Sequence, residues 1–154
     1  MNRHRNLIAT SIFALTVACA NALAAGSGSS STRATQPSEY DQAVAAVEAG
    51  AFRRALRLLD SVVESEPRNA DAWNYKGFSH RNLGQLAEAQ AAYDKALAID
   101  PKHRGAREYL GELYLMKGDV AGAEAQLREL DSICYFGCKE YDELKAAITK
   151  HKQG

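Results

Sequence analysis

Residues 70–103 read ADAWNYKGFSHRNLGQLAEAQAAYDKALAIDPKH. In the first half Trp73 and Gly77 stand four apart, and in the second half Ala89, Tyr93 and Ala96 recur at offsets of four and three. Each set therefore lies on one face of a helix, with small residues beside a large one, the pattern two helices need to approach closely. Gly77 removes a side chain where the partner helix would otherwise be held off, and Trp73 is expected to fill the adjacent space. Asn82-Leu83-Gly84 divides the halves, and Gly84 suits the left-handed conformation common at helix C-termini. Pro101 has no amide hydrogen and disfavours helix in the residue before it, so the second helix ends there. The stretch predicts an antiparallel pair of helices.

Sliding the chain against itself at an offset of 34 repeats this punctuation. Gly50, Gly84 and Gly118 align, as do Ala55, Ala89 and Ala123, then Leu59, Tyr93 and Leu127, then Val62, Ala96 and Leu130, and Pro67 aligns with Pro101. Trp73, Gly77, Gly84, Ala89, Tyr93, Ala96 and Pro101 together resemble the tetratricopeptide repeat family, in three copies at 36–69, 70–103 and 104–137. The resemblance implies an all-α, right-handed α-solenoid of three helical hairpins. Unit one departs from the pattern with Glu39 and Ala43 in the Trp and Gly positions, unit two with Lys76 and His80, and unit three with Arg107. His80 is expected to be buried or half-buried in place of the usual aromatic. Unit three has no proline near Tyr135, so its second helix is expected to end near Asp131 or Ser132. Within 138–154, Tyr141, Leu144 and Ile148 form an apolar stripe that predicts a capping helix, the seventh helix of the chain.

The chain has 154 residues, 46% hydrophobic and 25% charged, with nineteen basic and nineteen acidic side chains. That composition is globular, and the charge balance offers no basic field for a nucleic-acid backbone. Arg3, His4 and Arg5 precede the uncharged run Leu7–Ala18, and Ala22-Leu23-Ala24 has the small-x-small pattern of a cleavage site. Residues 1–24 therefore predict a secretory signal peptide, too short for a membrane span, and a periplasmic or secreted protein without membrane insertion after cleavage. Cleavage leaves seventeen basic and nineteen acidic side chains. Thr16-Val17-Ala18-Cys19 offers a competing reading as a lipoprotein box with Cys19 acylated. Residues 25–38 are rich in Gly, Ser and Thr and predict a flexible leader.

The resemblance also implies what the fold is for. First helices of such units line a concave groove that receives a peptide or a protein partner. The matching positions are Tyr40 and Val44 in unit one, Asn74, Phe78, Arg81 and Asn82 in unit two, and Glu108 and Glu112 in unit three. An apolar end grades into an acidic one. Asn74 would hydrogen-bond a peptide backbone, Phe78 would pack on a side chain, and the two glutamates would meet a basic group. Some family members clamp a C-terminal carboxylate with lysines, asparagines and an arginine. Tyr40, Val44, Tyr75, Gly105 and Tyr109 hold the matching positions, and none supplies a cation or amide.

Cys134 and Cys138 are four apart, with Gly137 between them. In an exported protein they predict a small-loop disulfide that pins the cap to the repeats. The alternative is a metal- or thiol-handling accessory factor, with the two sulfurs as a soft Cu(I) site. Zinc would require ligands that the neighbourhood lacks, since His103 and His151 are distant in sequence. Tyr135, Phe136 and Tyr141 are expected to pack under the cap rather than form a cofactor box. The sequence has no GxxxxGK, HExxH or GxSxG, so no catalytic residue, resident metal or cofactor is assigned.

Overall fold

The computed structural model describes residues 36–154. The signal peptide, most of the leader and the lipobox at Cys19 lie outside the described residues. Within them, seven helices follow one another: α1 (Glu39–Glu48), α2 (Phe52–Ser65), α3 (Ala70–Asn82), α4 (Leu86–Ile99), α5 (Arg104–Met116), α6 (Val120–Ile133) and α7 (Lys139–Gln153). The second helices α2, α4 and α6 begin at Phe52, Leu86 and Val120, which keeps the repeat spacing of the sequence.

The helix boundaries come from local chemistry. Ser38 caps α1 reciprocally with Asp41: its Oγ accepts the Asp41 amide at 3.1 Å, and its own amide donates to Asp41 Oδ2 at 3.0 Å. Ser38 thus belongs to the first helix rather than to a leader. Asn69 Oδ1 accepts the Ala72 amide at 2.9 Å, and one repeat later His103 Nδ1 accepts the Ala106 amide at 3.1 Å. Such side chains satisfy amides that a helix N-terminus leaves without partners. Gly50, Gly84 and Gly118 follow the first helices with φ of 69°, 75° and 76°, where a side chain would be strained. The second helix of unit three runs one residue beyond its expected end, to Ile133.

The repeated small and large residues form the core. Ala55, Leu59 and Val62 of α2, Ala89, Tyr93 and Ala96 of α4, and Ala123 and Leu130 of α6 are all buried. The Tyr93 ring, not Trp73, occupies the hollow over Gly77: a Cβ there would lie 2.5 Å from Tyr93 Cε1. Trp73 is half-buried and its Nε1 donates to the Pro67 carbonyl at 3.1 Å, tying α3 to the turn before it. Arg107, in the same repeat position, makes the matching bonds to the Pro101 carbonyl, 3.0 Å from Nε and 2.8 Å from Nη2.

First helices touch their neighbours, α1 with α3, α3 with α5 and α5 with α7, whereas among the described residues no second helix touches another. The first-helix layer is therefore the tighter, inner one. Helix α7 extends that layer. Tyr141 stands one repeat after Arg107 and Leu144 one repeat after Leu110, so the cap is in register with the first helices of the units before it. Leu144 and Ile148 are buried and Tyr141 is packed beside them, as the apolar stripe requires.

Candidate groove on the first-helix layer

The inner layer carries a continuous aromatic wall. Tyr40 of α1 meets Tyr75 of α3 with ring centroids 6.2 Å apart, Phe78 of α3 meets Tyr109 of α5 at 5.0 Å, and Phe52 of α2 meets Phe78 at 6.0 Å. Edge and tilted contacts of this kind hold the rings in fixed positions. Val47, Glu48, Gly50, Phe52, Tyr75, Phe78 and Tyr109 enclose a pocket of about 360 Å³. Arg81 lies against the wall, its guanidinium carbon 5.4 Å from the Phe78 centroid and 5.3 Å from that of Tyr109, and it pairs with Glu112 across α3 and α5. Desolvation raises the Tyr109 phenol, and the charge on Glu108 raises it further.

Beyond the wall the groove turns acidic. Glu108 is 6% exposed, and burial, followed by Glu143, Glu112 and Glu140, pushes its carboxyl up to about 8. Two of those neighbours come from α7, so the cap helps to build the site. Asn74 is also buried, its Oδ1 has no hydrogen-bond donor, and its Nδ2 lies 3.4 Å from where a Cβ on Gly105 would stand. A polar pocket of about 340 Å³ follows, lined by residues that include Asp71, His103, Gly105 and Glu140. There His103 Nε2 lies 3.0 Å from Asp71 Oδ1. Since Nδ1 accepts the Ala106 amide, the ring proton sits on Nε2 and is donated to Asp71, so His103 acts as a helix cap and a strut between α3 and α5. The hollow of about 490 Å³ over Glu66–Asn69 involves one turn alone and shares no residue with the groove.

The sequence-derived groove residues divide by what they touch. Tyr40, Phe78, Arg81 and Glu112 join the wall, and Asn74 and Glu108 the buried polar end. Val44 is half-buried, with Ala43 and Val47 of its helix in the core. Asn82 is exposed and its amide turns back to donate to the Phe78 carbonyl at 2.8 Å. Tyr75 and Tyr109 share one repeat position, which in the sequence stands out only as unfit for a carboxylate clamp. Phe52, Glu140 and Glu143 reach the groove from α2 and α7, where the repeat frame assigns no first-helix position. His80 is half-buried, with Nδ1 2.8 Å from Gln85 Oε1.

Cys134 and Cys138 are joined, with their Cα atoms 5.6 Å apart, between α6 and α7. Joined sulfurs are not thiolates, and among the described residues no group of three or more His, Cys, Asp or Glu side chains is placed to hold a metal. The loop they close corrects one expectation. Tyr135 is 87% exposed and Phe136 fully exposed, so only Tyr141 of the three aromatics packs with the cap. Gly137, with φ of 82°, turns the chain between the sulfurs, and the loop is too short to fold its aromatic rings back onto the helices. Among the described residues no helix is long and apolar enough to cross a membrane.

Comparison with known proteins places this architecture. The tetratricopeptide repeat profile matches residues 40–102 and, in a second form, residues 80–148. The mouse protein named FK506-binding protein-like is 37% identical over 79 residues, which are 51% of this chain and 23% of that protein. The chain thus spans about a quarter of that relative's length. Among solved structures, the Yersinia enterocolitica type III secretion chaperone SycD, in complex with a peptide of the translocator YopD, superposes with a TM-score of 0.65 at 19% identity, over 75% of this chain and 87% of that one. The first tetratricopeptide domain of Spaghetti (RPAP3), bound to the HSP90 peptide SRMEEVD, gives 0.65 at 13% identity, over 75% and 91%.

Proposed function

Because the chain belongs to the tetratricopeptide repeat family, we propose that it is a binding adaptor of a bacterial envelope that holds an extended segment of a protein partner against its first-helix layer. The observation that carries this reading is the aromatic pocket between α1, α2, α3 and α5, open at the surface and walled by rings that brace one another. A preformed apolar pocket receives a side chain at little ordering cost, while the polar groups beside it fix the direction of the bound chain. The peptide-bound neighbours lend support through their fold alone. The groove chemistry differs from what an acidic C-terminus such as EEVD requires, since tyrosines, valine and glycine stand where cations and amides would be needed, and the cation of the wall, Arg81, is already paired with Glu112.

Export follows from residues 1–24, and an intact mass beginning at Ala25 would carry it; acyl mass on Cys19 would place the protein on a membrane instead. The groove is tested by a photo-crosslinking residue installed at Tyr75 in cells. It should capture a partner that a probe at exposed Lys95, on α4, does not, and Phe78→Ala should remove the adduct. Equal capture from the α4 face, or capture indifferent to Phe78, would refute the groove as the binding surface.

A further inference from the structure

The groove holds one carboxylate that the fold has dried and left without a cation. Glu108 is 6% exposed on α5. Its carboxylate neighbours each have a partner: Glu112 pairs with Arg81, Glu140 lies 4.0 Å from Arg104, and Glu143 lies 3.2 Å from Lys139. Among the described residues Glu108 has no cation, and the polar partner of its carboxyl is another acid, Glu143, with which it shares a hydrogen bond. The charged and titratable groups around it are Glu112 and Tyr109 on α5 and Lys139, Glu140 and Glu143 on α7, with Arg81 of α3 turned to Glu112 and Tyr109. Lys139 does not close the gap, because its side chain is 81% exposed and engaged with Glu143.

A second buried acceptor lies on α3, packed against the first turn of α5. Asn74 occupies on α3 the repeat position that Glu108 occupies on α5. Its Oδ1 is buried with no donor, and its amide packs at Gly105, one turn before Glu108 on the same helix face. A dried amide oxygen without a donor costs stability when empty, and a dried carboxyl among other carboxyls can ionise only beside a cation, so a cationic ligand that donates to both recovers those costs. The adjoining wall already accepts a guanidinium: the chain's own Arg81 lies over Phe78 and Tyr109 and pairs with Glu112. A planar fork of N–H donors fits acceptors and ring faces together in a way a lone ammonium does not.

Resting on the groove reading above, we propose that the acidic end seats an arginine side chain of the bound segment, with Glu108 as its counter-charge and Asn74 Oδ1 as its second acceptor. The bound segment would then carry an apolar residue for the aromatic pocket and a basic residue displaced from it toward α7. Seating the cation requires Glu108 to ionise. Its carboxyl is held up to about 8 when the site is empty, so binding near neutral pH releases a proton, and affinity for the basic segment rises with pH until that value is passed.

The probes are pools of blocked decapeptides in which one position is fixed as arginine, its uncharged isostere citrulline, or glutamate, titrated into the full chain. Arginine pools should bind about tenfold more tightly than citrulline pools. Calorimetry at pH 7 in buffers of different ionisation enthalpy should report close to one proton released. Glu108→Gln should abolish both the preference and the proton release. Glu143→Gln should keep the preference while releasing less proton, because it relieves part of the repulsion on Glu108. If arginine and citrulline pools bind alike, or if Glu108→Gln keeps the preference, while Phe78→Ala still abolishes binding, this inference is overturned and the groove reading stands. If no pool binds, both are overturned.

Discussion

The seating of α7 on α5 makes a sharp prediction, because it depends on one missing side chain. Gly111 lies against Leu144, and a Cβ at Gly111 would stand 2.5 Å from Leu144 Cδ2 and 2.6 Å from Cδ1. Ordinary carbon contacts are roughly 3.5–4.0 Å, so Gly111→Ala must push the Leu144 methyls out by about 1 Å. Overpacking of that kind costs about 1–3 kcal/mol, against which the helix regains about 1 kcal/mol from replacing glycine with alanine. The single variant should therefore lose about 1 kcal/mol. Leu144→Ala removes a fully buried side chain and should cost about 2–5 kcal/mol, part of it from the cavity left over Gly111. In that background the Gly111→Ala methyl enters empty space. Its clash vanishes, its helix preference remains, and its effect changes sign to a gain of about 1 kcal/mol. Urea denaturation followed by circular dichroism, on the wild type, both single variants and the double, measures the cycle. A Gly111→Ala change that destabilises equally in both backgrounds would refute the reasoning, because some atom other than Leu144 would then fill the hollow. A lower denaturant slope in the singles would show α7 detaching before the remaining helices.

Other consequences follow from the same geometry. Glu108 is protonated in the folded chain up to about 8 but only to about 4.5 when unfolded, so the unfolded state sheds its proton first and stability falls as pH rises through that window. Glu108→Gln should flatten this slope and, at pH 8, stabilise by about 1–2 kcal/mol after allowance for water at the groove mouth, as read from urea midpoints between pH 5 and 8. His103→Ala removes the α5 cap and the strut to Asp71 and should cost about 1 kcal/mol, whereas His103→Asn should restore most of the loss in the same melt. Cleaving the bond between Cys134 and Cys138, four apart, relaxes a short loop worth about 2 kcal/mol by chain entropy, so Cys134→Ser should lower the melting temperature and make it insensitive to reductant.

How much of this the sequence disclosed depended on periodicity. The regular spacing of glycines and small residues located the three helical pairs, because those residues act locally: a left-handed turn at Gly84 or a missing Cβ at Gly77 constrains the chain wherever it occurs. Which large side chain fills a given hollow is a matter of tertiary distance. Tyr93 rather than Trp73 lies over Gly77, and nothing in the spacing within α3 distinguishes the two. Tyr135 and Phe136 read as core material by type, yet the disulfide loop holds both in solvent.

The groove shows the same division more sharply. Repeat positions supplied Asn74, Phe78, Arg81, Glu108 and Glu112, but Glu140 and Glu143 entered only because α7 continues the first-helix layer. Read as a cap, α7 closes the stack and contributes apolar contacts. Placed in register one repeat after α5, it also presents carboxylates to the neighbouring helix, as each first helix presents its groove residues to the next. The high proton affinity of Glu108 is then a property of two helices at once. Removing α7 would rehydrate Glu108 and withdraw two of the three charges that oppose its ionisation. The carboxyl would return toward its ordinary range, and the site would lose both its dryness and its proton coupling. Helix α7 is thus where the stability of the stack and the chemistry of its groove depend on the same contact, that of Leu144 with Gly111.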